Sequence, residues 1–145
     1  MIQIKRTGPE AILPSMATAG AAGFDLCAVD GQLLMPQTPT LIKTGISMAI
    51  PDGFVGMVCS RSGLALKKGV FVLNAPGIID SDYRGDVGVI LFNTSALPVT
   101  ISKGDRVAQI LFTPLAVLPL VEVNELTETV RGEGGFGSTN IQKIA

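Results

Sequence analysis

Asp80, Ser81, Asp82, Tyr83 and Arg84 follow one another in a chain of 145 residues that contains no histidine. The missing imidazole removes Ser-His-Asp and Cys-His nucleophilic triads and the commonest general base. Acid–base chemistry must therefore rest on Asp, Glu, Lys, Tyr or Cys. Tyr83 is the only tyrosine. The cluster lies between two apolar runs, 70–74 and 87–93, where a β-hairpin is expected with Gly85 helping the reversal. Alternation puts Asp80 and Asp82 on one face and Tyr83 on the other, unless a bulge re-aims them. A charge cluster is ordinarily a solvated turn, but "GII" (77–79) before it argues that this turn folds inward.

Four other stretches combine glycine with polar groups. In "AGFDLCA" (22–28) Asp25 sits inside an apolar run. A buried carboxylate is costly unless partnered, so Asp25 is either a turn or capping residue or lies near a cation. "SRSGLA" (60–65) follows an apolar strand and precedes the one plausible helix; it can aim backbone N–H groups and hydroxyls at an anion, or Arg61 can be an interior ion-pair partner. In "GDRVAQI" (104–110) Arg106 and Gln109 differ by three residues and so face opposite ways on a regular strand. Each needs a partner if buried. "RGEGGFGSTN" (131–140) has the glycine spacing of a phosphate-binding Walker loop but lacks its lysine and its strand–helix context, so that match fails. A frayed tail is the plain alternative. Phe136 between glycines suits a lid better: the glycines let the backbone close, Arg131 and Ser138 can reach phosphate oxygens, and Phe136 can stack on a base.

The elements that must position these groups read as short β-runs between turns. They are 40–50, 54–60, 70–74, 87–93, 97–102, 106–115 and 116–123, with turn signals at 51–53, 75–77 and 102–105 and a brief helix around 61–68. From about residue 124 the period-two pattern is lost. The reading is an all-β sandwich or barrel, residues 1–123, with a C-terminal arm, 124–145.

Composition narrows the partners. Apolar residues make up 47% and charged ones 16%, below the ~25% charged of an average soluble protein. No run approaches the ~18 apolar residues of a membrane span, and "MIQIKR" lacks the apolar region of a signal peptide. The apolar surplus points to a subunit interface and a homo-oligomer. A net charge of −1 argues against a broad nucleic-acid-binding face. Cys27 and Cys59 read as buried free thiols, which suits a reducing cytoplasm.

In this order, "AGFDL", "RSGLA", "GIIDSDYRG", "GDRVAQ" and "RGEGGFGST" resemble the five motifs of the trimeric dUTPases, and they span residues 22–139. The resemblance implies a jelly-roll-like homotrimer in which the arm of one subunit covers a site built by the other two. It implies hydrolysis of dUTP to dUMP and pyrophosphate with Mg²⁺ on the triphosphate, which keeps uracil out of DNA. By the same resemblance Asp80 activates the attacking water and contacts the 3′-hydroxyl, and Gln109 bonds a phosphate oxygen or that water. Arg61, Ser62 and Gly63 hold the α- and β-phosphates, and Asp25 holds waters of the hydrated Mg²⁺. Tyr83 packs under the deoxyribose, while Asn74 and the backbone from Gly77 to Ile79 read the uracil edge. Arg131 and Ser138 reach the γ-phosphate, and Phe136, with Gly137 beside it, stacks on uracil. Arg106 is expected to pair with Asp82. Departures are small: Phe24 where tyrosine or leucine is common, Ser60 where many members have proline, and Asn140 for a frequent glycine. The rivals are a dCTP deaminase of the same fold, a non-catalytic nucleotide-binding module and a structural trimer.

Overall fold

A computed structural model describes residues 1–136. Its elements are β1 (Gln3–Arg6), β2 (Phe24–Cys27), β3 (Gln32–Leu34), β4 (Thr40–Lys43), β5 (Ile46–Ala49), β6 (Phe54–Cys59), α1 (Ser62–Lys68), β7 (Val70–Val72), β8 (Gly77–Ile79), β9 (Gly88–Asn93), β10 (Val99–Ile101) and β11 (Arg106–Pro114). They form sheets β1-β5, β10-β3, β2-β11-β6-β8 and β4-β9-β7, and every strand pair is antiparallel. The protein is all-β with one short helix, as its alternating runs predict. Among the described residues no helix is long and apolar enough to cross a membrane.

The alternation is cleanest in β9, where Val89, Leu91 and Asn93 are buried and the residues between them half-buried. Val89 and Leu91 join Leu26, Leu34, Ile42, Ile46, Ile101 and Ile110 in one core, each such aliphatic side chain contributing about 1.5–3 kcal/mol on burial. Asn93 is affordable there because its amide donates to the carbonyls of Leu34 and Leu97 and its oxygen accepts from Ser95.

The run 40–50 divides into β4 and β5 at Gly45. Its φ of 65° is left-handed, and a Cβ there would meet Val29 Cγ1 at 2.9 Å. Helix α1 ends at Gly69, φ 64°, whose N–H donates to the Ala65 carbonyl.

The expected strand 116–123 does not form. A strand needs a neighbour, and β11 already has β2 and β6 on its two sides. Pro114 closes β11 and Pro119 offers no N–H. The segment instead runs exposed, with Val117, Leu118, Leu120 and Val121 each more than three-quarters accessible. Part of the apolar surplus is thus left outside the core along this segment.

Candidate active site

Three strands place a row of functional side chains on one face. β11 pairs with β2 and β6 so that Gln109 lies opposite Asp25 on one side and Cys59 on the other. Residues opposite one another in a ladder point to the same face. Between Arg106 and Ala108 the register against β2 shifts, and Arg106 comes opposite Cys27. The extra residue of this irregularity reverses the alternation, so Arg106 and Gln109 share a face instead of opposing each other.

Arg106 accordingly pairs with Asp25 and not with Asp82: its Nη1 lies 3.0 Å from Asp25 Oδ2. Arg61, the residue before α1, puts Nε 3.0 Å from the other oxygen, Oδ1, and donates from Nη1 to the Arg106 carbonyl at 3.1 Å. Asp25 therefore stands on a strand beside two cations, which decides between its two sequence readings. Its side chain is 14% exposed, a burial that the paired guanidiniums make tolerable. One carboxylate and two guanidiniums leave the cluster one positive charge in excess, which suits an anion. Asp25, Arg61, Ser62, Gly63 and Gln109 line a cleft of 190 Å³ beside it.

Cys27 and Cys59 are free thiols but only half-buried, flanking this row rather than lying in the core. Burial, and then the Asp25 carboxylate, push the Cys27 thiol up against the opposing pull of Arg106 and Arg61. It stays protonated at neutral pH.

A second cleft, of 540 Å³, is lined by Asn74, Gly77, Ile78, Ile79, Asp80 and Tyr83 together with parts of β4 and β9. The predicted pairing of the flanking runs exists as β7 with β9, but the loop between them sends out β8 to pair with β6. β8 is the outer strand of its sheet, so one edge keeps main-chain donors and acceptors free for a planar ligand. Asn74 lies over Gly77, where a Cβ would come within 3.2 Å of its Nδ2.

After β8 the chain turns: the Tyr83 amide donates to the Asp80 carbonyl at 3.2 Å, and Arg84 Nη1 donates to the carbonyls of Ser81 and Tyr83. A turn, not a strand, sets the directions here, so Asp80 and Tyr83 share this cleft. Asp80 also reaches a second depression, which it lines together with Asp82, Asp52, Phe54 and Val117, so the two carboxylates share a side as alternation predicts and it is Tyr83 that departs from it. The cluster is also more exposed than an inward fold predicts, Tyr83 being 43% accessible. Tyr83 is held by donating its hydroxyl to the Asp86 carbonyl at 3.0 Å, with Gly85 leaving room for its ring.

Among the described residues none lines both clefts. Arg131 and Phe136 line neither: Arg131 Nε donates to the Gly134 carbonyl at 2.7 Å and Phe136 is fully exposed. Gly137 and Ser138 lie outside the described residues. Arg106, read from sequence as a distant structural bridge, belongs to the Asp25 cluster; only the register on β2 reveals it. Gly23 was also missed: a Cβ there would meet Gln109 Oε1 at 3.1 Å.

A small cleft beside the Asp25–Arg61–Arg106 cluster, and a larger one edged by free backbone, are the two candidate binding sites of this β-protein. The chain belongs to the dUTPase family, whose model matches residues 9–140. It is 47% identical over 138 residues to the deoxyuridine 5′-triphosphate nucleotidohydrolase of Wolinella succinogenes, covering 95% of this chain and 93% of that one. Among solved structures it is similar to the Staphylococcus bacteriophage 80alpha dUTPase with dUPNHPP, with a TM-score of 0.91, 28% identity and coverage of 97% and 99%. It is similar also to a mutant dUTPase from phage phi11 of S. aureus described with a structural Mg(II) ion, with a TM-score of 0.80, 26% identity and coverage of 86% and 97%.

Proposed function

We propose that this chain hydrolyses dUTP to dUMP and pyrophosphate and that its two clefts divide the substrate, nucleoside in the larger and phosphates in the smaller. The observation that carries the division is the free edge of β8 beside Asp80 and Tyr83, opposed to a separate cleft that holds Arg61 and lies beside a cluster with one positive charge in excess. A fixed backbone edge selects uracil because a base with the wrong donor and acceptor order leaves buried polar groups unpaired. Tyr83 packs against the sugar and leaves no space for a 2′-hydroxyl. Asn74 supplements the edge.

In the reaction a water O–H bond breaks as Asp80 takes the proton. The oxygen bonds to the α-phosphorus, and the bond from that phosphorus to the bridging oxygen breaks with pyrophosphate leaving. Arg61, Ser62 and Gly63 hold the phosphates, and Gln109 orients the water or an oxygen of the phosphate. Catalysis is mainly positioning and charge neutralisation.

Among the described residues no three Asp, Glu or Cys side chains converge on a metal position. Asp25 is the carboxylate at the phosphate cleft, and both its oxygens are already engaged by arginines. This donor set fits Mg²⁺ carried by the triphosphate and its own waters, with Asp25 reached through water, in keeping with the ion's reluctance to dehydrate. When bound, the ion would neutralise phosphate charge.

The separate clefts, the exposed apolar segment 115–123 and the outlying Arg131 and Phe136 support a homotrimer whose sites form between chains. An exposed apolar run of this length is uncommon on a monomer. In that assembly residues 124–145 close over a site of neighbouring chains, Arg131 and Ser138 on the γ-phosphate and Phe136 on uracil, with Gly137 giving the arm its freedom. dCTP deamination is not favoured, since the chain keeps "DSDYRG" and "GGFGST" and belongs to the dUTPase family.

Pyrophosphate release with Mg²⁺ from dUTP, dTTP, dCTP and UTP tests the reading. Release from dUTP alone is expected; ammonia from dCTP with no action on dUTP would overturn it.

Gly63 offers a cleaner probe of the phosphate cleft. A Cβ there meets nothing within 4 Å and its φ is not left-handed. Gly63→Ala should leave stability unchanged or raise it by up to ~1 kcal/mol, since alanine favours the helix. It should nevertheless raise KM for dUTP about tenfold, because the added methyl occupies space kept for phosphate. Thermal unfolding and steady-state kinetics check this; an unchanged KM would remove phosphate from that position.

A further inference from the structure

Ser60 has no part in the roles assigned above, yet it is bonded to strands of both clefts. Its Oγ accepts the Val72 amide at 2.9 Å, and its carbonyl accepts Gln109 Nε2 at 3.0 Å. The first bond answers an edge problem. β7 is the outer strand of its sheet and has β9 on one side only. The Leu73 amide donates to Ile90 of that neighbour, so the preceding amide, of Val72, points the other way. Val72 is 2% exposed, and an unpartnered amide there would be costly. Ser60, one residue past the end of β6, supplies the acceptor and so joins the edge of one sheet to the end of a strand in another.

The second bond orients Gln109. With one Nε2 proton committed to the Ser60 carbonyl, one N–H and Oε1 are left to the phosphate cleft, and Gly23 supplies the space that Oε1 occupies. We infer that Ser60 is a positioning residue: its hydroxyl, anchored on Val72, fixes the carbonyl that orients the Gln109 amide toward the substrate. This rests on the reading of Gln109 as a substrate-facing group.

Ser60→Ala and Ser60→Thr, each made alone and with Gln109→Ala, test it. Ser60→Ala should lower kcat for dUTP about tenfold with KM nearly unchanged, and Ser60→Thr, which returns a hydroxyl, should recover most of the loss. In the Gln109→Ala background Ser60→Ala should cost nothing further. Wild-type kcat in Ser60→Ala, or an equal loss in both backgrounds, would overturn the inference. Ser60→Cys, with its weaker acceptor, replaces the alanine variant if that does not fold. The side-chain amide resonances of Gln109 give a readout independent of turnover: Ser60→Ala should shift them and Ser60→Thr restore them. Unmoved resonances would overturn the positioning role, whereas a wild-type chain inactive on dUTP would sink the reading of the site instead.

Discussion

Asp80→Asn should lower dUTP turnover about a thousandfold while the affinity for a non-hydrolysable dUTP analogue stays within a few-fold of the parent. The expectation rests on a contrast between two carboxylates. Asp25 is largely enclosed, and each of its oxygens is 3.0 Å from a guanidinium nitrogen. Such a group is committed to holding Arg61 and Arg106 and is poorly placed to take a proton from water. Asp80 is exposed at the end of β8, and among the described residues its carboxylate makes no hydrogen bond or ion pair. Different surroundings give chemically identical groups different tasks. The substitution keeps the shape of the side chain and removes its basicity, and an exposed change of this kind ordinarily alters stability by less than about 0.5 kcal/mol. Pyrophosphate release read beside calorimetric binding separates the two effects. Unchanged turnover would take the base role from Asp80; lost binding with lost turnover would make it a binding group only.

The same contrast shows where sequence is informative and where it is silent. The inward set of β9 is legible because each residue reports its own burial through its type, and Val89, Leu91 and Asn93 keep strict period two. Asp25, Arg61, Gln109, Asp80 and Tyr83 were identifiable as polar groups in places where a plain strand or turn would not need them. Their pairing was not legible. Whether Arg106 meets Asp25 or Asp82 depends on one extra residue between Arg106 and Ala108, and nothing in "GDRVAQ" marks that irregularity. Tyr83 and Asp80 share a cleft because a turn bond closes between them, so alternation could not place them. The run 116–123 has strand-like composition, but β11, the strand that leads into it, already has β2 and β6 on its two sides, and the run pairs with no other strand among the described residues. Ser60 was visible in sequence only as a departure from a frequent proline, because its two hydrogen bonds reach residues 12 and 49 positions away.

Two inactive variants should restore each other when they occupy one copy of the proposed trimer. On the proposed division Asp80→Asn damages the nucleoside cleft and Arg61→Ala the phosphate cleft, and none of the described residues lines both. Arg61→Ala leaves Arg106 on Asp25, so that carboxylate keeps a cation. If each site joins the nucleoside cleft of one chain to the phosphate cleft of the next around a ring, any trimer containing both variants has one junction where two undamaged clefts meet. Co-expressed chains carrying two different tags, purified through both, should therefore show about a third of the parental activity per trimer. Each variant purified alone should show almost none. If the two clefts of one chain served one site, every site in the mixture would carry a lesion and the doubly tagged material would stay inactive. Recovery near one half would instead indicate a ring of two. The activity of the mixture thus reads how the sites are shared between chains and how many chains close the ring, without disturbing either cleft in the subunit that contributes it.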